Sequence, residues 1–314
     1  MATPALMNKK ESSPEISRKE KFGKWYNEKG IGYVFLAPFL ILLFIFTIFP
    51  VFSAMGLSFT YYNMLEPAKF IGLENYKRLI LDDDIFITAI KNTLTFAVIT
   101  GPIGFFASFL FAWIINQLKY NNLFSLAFYA PSLCSGIAMS QVWLWFFSSD
   151  RVGFINYILL KYGIIMEPVL WNKDTDTIMP VVIIISIWMS MGTGFLVFLA
   201  GLQNIPSDLY EAGRIDGISH KTQELFHITL PLSKPQLLFG AINSITNSFA
   251  VFDVAVSVAG MPSPDYAAHT IVAHLYDHAF IRFEMGYASA IAMFLFLTTF
   301  FLGRICMRIF KDET

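Results

Sequence analysis

What most constrains this chain is a series of long stretches without charge. Residues 30–65, 92–118, 120–149, 177–207, 235–252 and 285–303 hold no Asp, Glu, Lys or Arg. In hydrocarbon every backbone N–H and C=O must find its partner within the segment, so such runs become helices of about 20 residues. Six spans are expected, over 32–57, 88–116, 123–147, 178–202, 236–258 and 285–305. The predicted class is therefore an all-α integral membrane protein. Composition agrees, with 14% charged residues where a soluble domain carries about 25%. The fifth span has the least defined boundary, because Asp253 lies inside it.

Seven Lys and Arg residues precede the first span. Its apolar core is longer than the 7–15 residues of a cleaved signal's apolar region. It reads as a retained anchor, with a tail (1–29) in the cytoplasm, a short interfacial helix at Phe22–Tyr26, and a transmembrane domain over 30–314. Six spans return the C-terminus to the cytoplasm. That arrangement puts 14 Lys and Arg inside and 8 outside, the bias expected of inner loops. Outside, FIGLENYKRLILDDD (70–84) has apolar residues at helical spacing and predicts a short surface helix. Residues 148–177 are too few to bury a core of their own.

Several functions are disfavoured. A net charge of −1 offers no basic footprint for nucleic acid. Cys134 and Cys306 read as small buried thiols, and the five histidines show no ligand spacing, so no metal is expected. The spans lack the clustered His, Asp and Glu of a membrane enzyme. They also lack the inverted repeats of a secondary transporter or channel, which is the leading alternative from another class.

One polar segment interrupts the spans on the cytoplasmic side, within 203–235. It reads EAGRIDGISHKTQELFHITLPLSKP (211–235). Ser207 is a candidate N-cap, with Asp208 and Glu211 suited to a helix N-terminus. Asp216-Gly217 stops that helix, with the glycine in a left-handed conformation. Ser219 can cap a second short helix, which Leu230-Pro231 ends. Physics leaves two readings open: a docking knob for a partner, or an amphipathic loop on the lipid surface.

Here the chain resembles a family. Glu211-Ala212-Gly213, then Gly217, then Ile228-Thr229-Leu230-Pro231 is similar to the coupling loop of ABC-importer permeases, with Gly213 where alanine is usual. Asp216, Phe226 and Pro235 fit the carbohydrate branch. FIGLENYKRL, Asn92-Thr93-Leu94, Gly260-Met261-Pro262 and Gly286-Tyr287-Ala288-Ser289-Ala290 resemble further parts of sugar-uptake permeases. All but the tail is covered, and the likeness is to the larger maltose-permease-type subunit without its big outer insertion.

The resemblance implies a type I importer permease fold with six transmembrane helices. The implied partners are a second permease subunit, two cytoplasmic ATPase subunits, an extracytoplasmic solute-binding protein and a sugar, within a bacterial cell membrane. ATP and Mg would sit on the ATPase, and none on this chain, which has no GxxxxGK[ST] loop. Glu211, Ala212, Gly213, Asp216 and Gly217 would engage the ATPase. Phe226, Ile228, Leu230 and Pro231 complete the loop, with Phe226 and Ile228 packing it back onto the bundle. For the sugar path the candidates are Trp188, Asn243, Asn247, Phe252 and Asp253. An importer for another solute, such as glycerol phosphate, is the alternative within the family.

Overall fold

The computed structural model describes residues 31–134 and 136–311. The expected tail and its interfacial helix lie outside these. The chain divides into two units, 1–53 and 54–314. Helix α1 (Gly32–Leu57) occupies the described part of the first and ends in the second. Its side chains Phe35, Phe46 and Phe52 are exposed, as suits a helix in lipid.

The second unit is built on long helices: α3 (Asp84–Asn116), α7 (Thr175–Gln203), α10 (Lys234–Phe249) and α13 (Met285–Lys311). Among the described residues five helices are long and apolar enough to cross a membrane, with α10 counted together with α11 (Asp253–Ala259). Helices α3 and α7 are the buried centre. Phe109, Ala112, Phe195 and Phe198 form one apolar cluster between them, and Phe96, Val181, Val182 and Ile185 belong to another.

Two expected spans are broken. The segment expected over 123–147 consists of α4 (Asn121–Tyr129), a 3₁₀ turn (Ala130–Leu133) and α5 (Gly136–Phe146). Pro131 is the physical reason: proline has no backbone N–H to give to a continuous helix. The segment expected over 236–258 breaks at Ala250–Phe252, between α10 and α11. Thr270 Oγ1 donates to the freed Val251 carbonyl at 3.0 Å. Irregular backbone at membrane depth is tolerated where protein or a cavity satisfies it.

The all-α expectation misses a small ribbon. Strand β1 (Thr60–Tyr61) pairs antiparallel with β2 (Lys69–Phe70). Beyond it comes the expected surface helix, α2 (Glu74–Lys77), extended by a π-helical turn (Arg78–Asp82). Buried Asn75 fastens it, its Nδ2 donating to the Ser58 and Thr60 carbonyls at 2.9 Å each. The 148–177 segment carries α6 (Phe154–Lys161) and folds around Asn156. That side chain donates to the carbonyls of Ser148 and Val169 and accepts from Trp171 Nε1.

Candidate functional site

The polar loop forms two short helices with a sharp turn. Helix α8 (Ser207–Ile215) starts at Ser207 itself, with Pro206 in the cap position. Ser207 is therefore not the N-cap; its hydroxyl turns to Asp208 instead. At the other end the Ile218 N–H donates to the Gly213 carbonyl at 2.9 Å and Gly217 sits at φ +96°. That is the expected helix stop.

Helix α9 (Lys221–Glu224) is not capped by Ser219. Gln223 does the work, its side-chain oxygen accepting from the Ser219 and His220 backbone N–H groups. Nor does Leu230-Pro231 end the second helix. A π-helical turn (Leu225–Thr229) absorbs the missing donor of Pro231, and the helix runs on through Leu230–Leu232.

Three contacts the sequence did not announce hold the two helices together. Glu224, nearly buried, accepts from Arg214 Nε of α8 at 3.2 Å and from Lys221 Nζ at 2.7 Å. Burial alone would raise its pKa, but these two cations outweigh burial and hold the carboxyl below its ordinary range. The Thr229 hydroxyl donates to the Glu224 carbonyl and lies 3.1 Å from the Tyr210 hydroxyl. Ile228 packs over Gly213, where an added Cβ would come 2.7 Å from Ile228 Cδ1. An alanine Cβ there would need only a small shift of the Ile228 side-chain tip.

Phe226 differs from expectation. It is 65% exposed, and Leu225 and Leu230 pack against the α3–α7 cluster in its place. The exposed surface of the loop includes Leu209, Glu211, Ala212, Ile215, Asp216, Gly217 and Phe226, beside polar residues such as Asp208, Arg214 and Lys221. Among the described residues Glu211 makes no ion pair within the chain, so its charge is available on that surface.

A cavity of about 980 Å³ lies among α3, α7, α10 and the start of α11. Asn243, Asn247, Phe252 and Asp253 all line it. The two asparagines are one helical turn apart on α10, so they share a face. Asn243, Asn247 and Asp253 are exposed to it, and no side chain among the described residues engages them. Asp253 lies in the first turn of α11, where the positive end of the helix dipole suits a carboxylate. Phe252 packs against Tyr276, their tilted rings 5.0 Å apart.

Serines and small residues supply the rest of the wall, and sequence reading missed them. Ser108, Ser190, Ser244 and Ser248 line the cavity with Gly104 and Gly240. Ser244 Oγ donates across to the Gly101 carbonyl at 2.8 Å, tying α10 to α3. The buried Ser186 hydroxyl has no partner among the described residues. Ser186 with Ser190 on α7 and Ser244 with Ser248 on α10, each pair at helical spacing on an apolar helix, were the available signal.

Trp188 is not part of this wall. It lines a second cavity of about 500 Å³ with Phe111, Phe128 and Gly192. Its ring meets Trp143 edge-on, with centroids 5.2 Å apart. Exposed Cys134 borders the same space, whereas Cys306 is buried as expected.

The histidines also depart from expectation. His269, His274 and His278 converge with Asp83, Glu284 and Tyr287, and all three rings are buried. Asp83 Oδ2 accepts from Tyr287 at 2.6 Å and meets His274 Nε2 at 3.1 Å. His274 and His278 are four residues apart, a one-face spacing that could have been noticed. Burial would raise the Asp83 pKa, but its hydrogen bonds from His274, Tyr287 and the Phe86 N–H hold it well below the usual range. Burial lowers His269 to about 4.

Residues 93–312 match the family described as binding-protein-dependent transport system inner membrane component. The chain is 33% identical over 286 residues to the probable ABC transporter permease protein YesP of Bacillus subtilis (strain 168), over 90% of each chain. It is 32% identical over 296 residues to the arabinooligosaccharides transport system permease protein AraP of the same organism, over 92% of each. Its fold is similar, with a TM-score of 0.80 at 23% identity, to a chain in the crystal structure of a bacterial alginate ABC transporter in complex with an alginate pentasaccharide-bound periplasmic protein. That likeness covers 94% of this chain and 100% of the other.

Proposed function

The chain belongs to the family of binding-protein-dependent transport system inner membrane components, and we propose that it is the permease subunit of an ATP-driven importer of a sugar or oligosaccharide. One observation carries the reading: a turn with an unpaired, exposed acidic and apolar surface is joined through α10 to a polar, aromatic-edged cavity. Motion imposed on the loop reaches Asn243 and Asn247 along one helix. The mechanism is alternating access, driven by ATP and Mg on two separate ATPase subunits. A second permease completes the pathway, and an extracytoplasmic binding protein delivers the cargo.

Cargo chemistry follows from the wall. Amide and hydroxyl groups can bond sugar hydroxyls, while Phe252 and its neighbours offer ring faces to apolar sugar faces. Among the described residues no Lys or Arg lines the cavity, and Asp253 brings a carboxyl group to it. A phosphorylated cargo such as glycerol phosphate would find no cation among these residues, which favours a neutral sugar. The name of AraP, an arabinooligosaccharide permease protein, supports the same choice.

Reconstitution tests the function. Alone in liposomes the chain is expected to hydrolyse no ATP and accumulate no sugar. Adding the ATPase, the second permease and loaded binding protein should give both. Accumulation by the lone chain would refute the importer reading.

For topology, α4 and α5 together make the third of six spans, so both termini and residues 203–235 are cytoplasmic. After replacement of Cys134 and Cys306, a cysteine at Lys173 should react in intact cells with a membrane-impermeant thiol reagent. One at His220 should react only after permeabilisation. The reverse pattern would overturn the arrangement.

A further inference from the structure

We propose that Asp83, His274 and His278 form a binding site for a divalent transition-metal ion of the zinc type, which staples the start of α3 to helix α12 (Ile271–Tyr276) and the π-helical turn that follows it. One ligand atom from each of the three lies within 4.8 Å of the other two. Two ligands of a tetrahedral zinc, each about 2.0 Å from the ion, stand about 3.3 Å apart. His274 Nε2 and Asp83 Oδ2 are already 3.1 Å apart, and only His278 need move in.

The surrounding atoms form the outer layer that a metal site requires. His278 Nδ1 lies 2.8 Å from Glu284 Oε2, which leaves Nε2 as its ligand atom. His274 Nδ1 lies 3.3 Å from His269 Nε2, which leaves its Nε2. Asp83 Oδ1 accepts from the Phe86 N–H at 2.8 Å, so that oxygen caps α3 and Oδ2 faces the histidines. Each ligand's second polar atom is thus held, the arrangement that fixes ring orientation and tautomer in metal sites. Tyr287 OH, 2.6 Å from Asp83 Oδ2, is a fourth donor at hand.

Charge favours a cation. Arg78 pairs with Glu284, and Arg282 pairs with Asp277. Of Asp83, Asp277 and Glu284, Asp83 is the carboxylate without a paired Lys or Arg among the described residues. Two imidazoles and a carboxylate suit zinc better than magnesium or calcium, which take oxygen donors. The consequence reaches the cavity. Asp83 and His274 are 191 residues apart in the chain, and α12 carries Tyr276, the ring packed against Phe252. An ion here fixes that aromatic rim rather than performing chemistry.

The test uses the full chain in nanodiscs, stripped with chelator and then exposed to zinc alone. About one zinc per chain should survive gel filtration, and zinc should raise the melting temperature. Cobalt in its place should give the visible absorption of a tetrahedral site. Asp83→Asn and His278→Ala should weaken zinc binding at least ten-fold, and Glu284→Gln about ten-fold through the outer layer. A wild-type chain that retains no zinc overturns the proposal, whether or not the variants fold. So does retention undiminished in the variants, which would place the ion elsewhere.

Discussion

Replacing Gly217 with proline is expected to cut coupled sugar uptake at least ten-fold while the chain still reaches the membrane. Gly217 turns the chain from α8 towards α9 at φ +96°. Proline is locked near −65°, so the turn cannot keep its shape. The Gly217 N–H, which donates to the Arg214 carbonyl at 3.2 Å, is lost as well. The two loop helices would then leave their fixed angle, and the exposed surface from Leu209 to Phe226 would break up. Gly217→Asn separates backbone from bulk, because asparagine enters the left-handed region at modest cost. Among the described residues an added Cβ at 217 meets nothing within 4 Å. If the asparagine variant transports normally, the turn alone matters. If it fails too, the ATPase must press against the glycine. Normal coupling and ATPase retention in the proline variant would show that the loop is not the docking element.

The spans were legible because lipid leaves a chain so few options. Charge-free runs of adequate length announced α1, α3, α7 and α13 to within a few residues. What charge counting could not resolve was discontinuity. Pro131 was a visible warning for the third span, but the break at Ala250–Phe252 has no proline or glycine. It depends on Thr270, 19 residues away, satisfying the Val251 carbonyl. Long-range satisfaction of that kind leaves no local trace.

The same division runs through the sites. Gly217 was readable because its φ follows from local helix-stop chemistry. Gly213 looked like a loose substitute for alanine, and nothing local said that Ile228 would pack against it. Phe226 looked like a packing residue by its hydrophobicity, yet hydrophobicity alone cannot say which face of a two-turn helix is covered. Asn92-Thr93 was recognised as a motif, but its physical role emerged only in the structure. Asn92 Nδ2 donates to the Tyr266 and His269 carbonyls, and Thr93 Oγ1 accepts from the Ile271 N–H. The motif pins the histidine-bearing segment onto α3, and Tyr287 of the last span's motif closes on Asp83 from the other side.

The double variant Asn243→Ala, Asn247→Ala is expected to lower sugar transport about thirty-fold without destabilising the protein. Both amides face the cavity, and neither is engaged by another side chain among the described residues, so truncation breaks no side-chain hydrogen bond among them. Alanine also suits the interior of a helix better than asparagine. What is lost is contact with cargo. A hydrogen bond contributes about 1 kcal/mol net, and two such losses give the thirty-fold figure. Ser244→Ala is the contrasting case, since its hydroxyl joins α10 to Gly101 of α3. It should lower the melting temperature of the purified complex. The measurements are uptake by the reconstituted complex and its ATPase activity with loaded binding protein. If the asparagines touch sugar, uptake falls while the ATPase stays assembled and retains its basal rate, because the loop at the other end of α10 is intact. Uptake equal to wild type in the double variant would remove this cavity from the transport path.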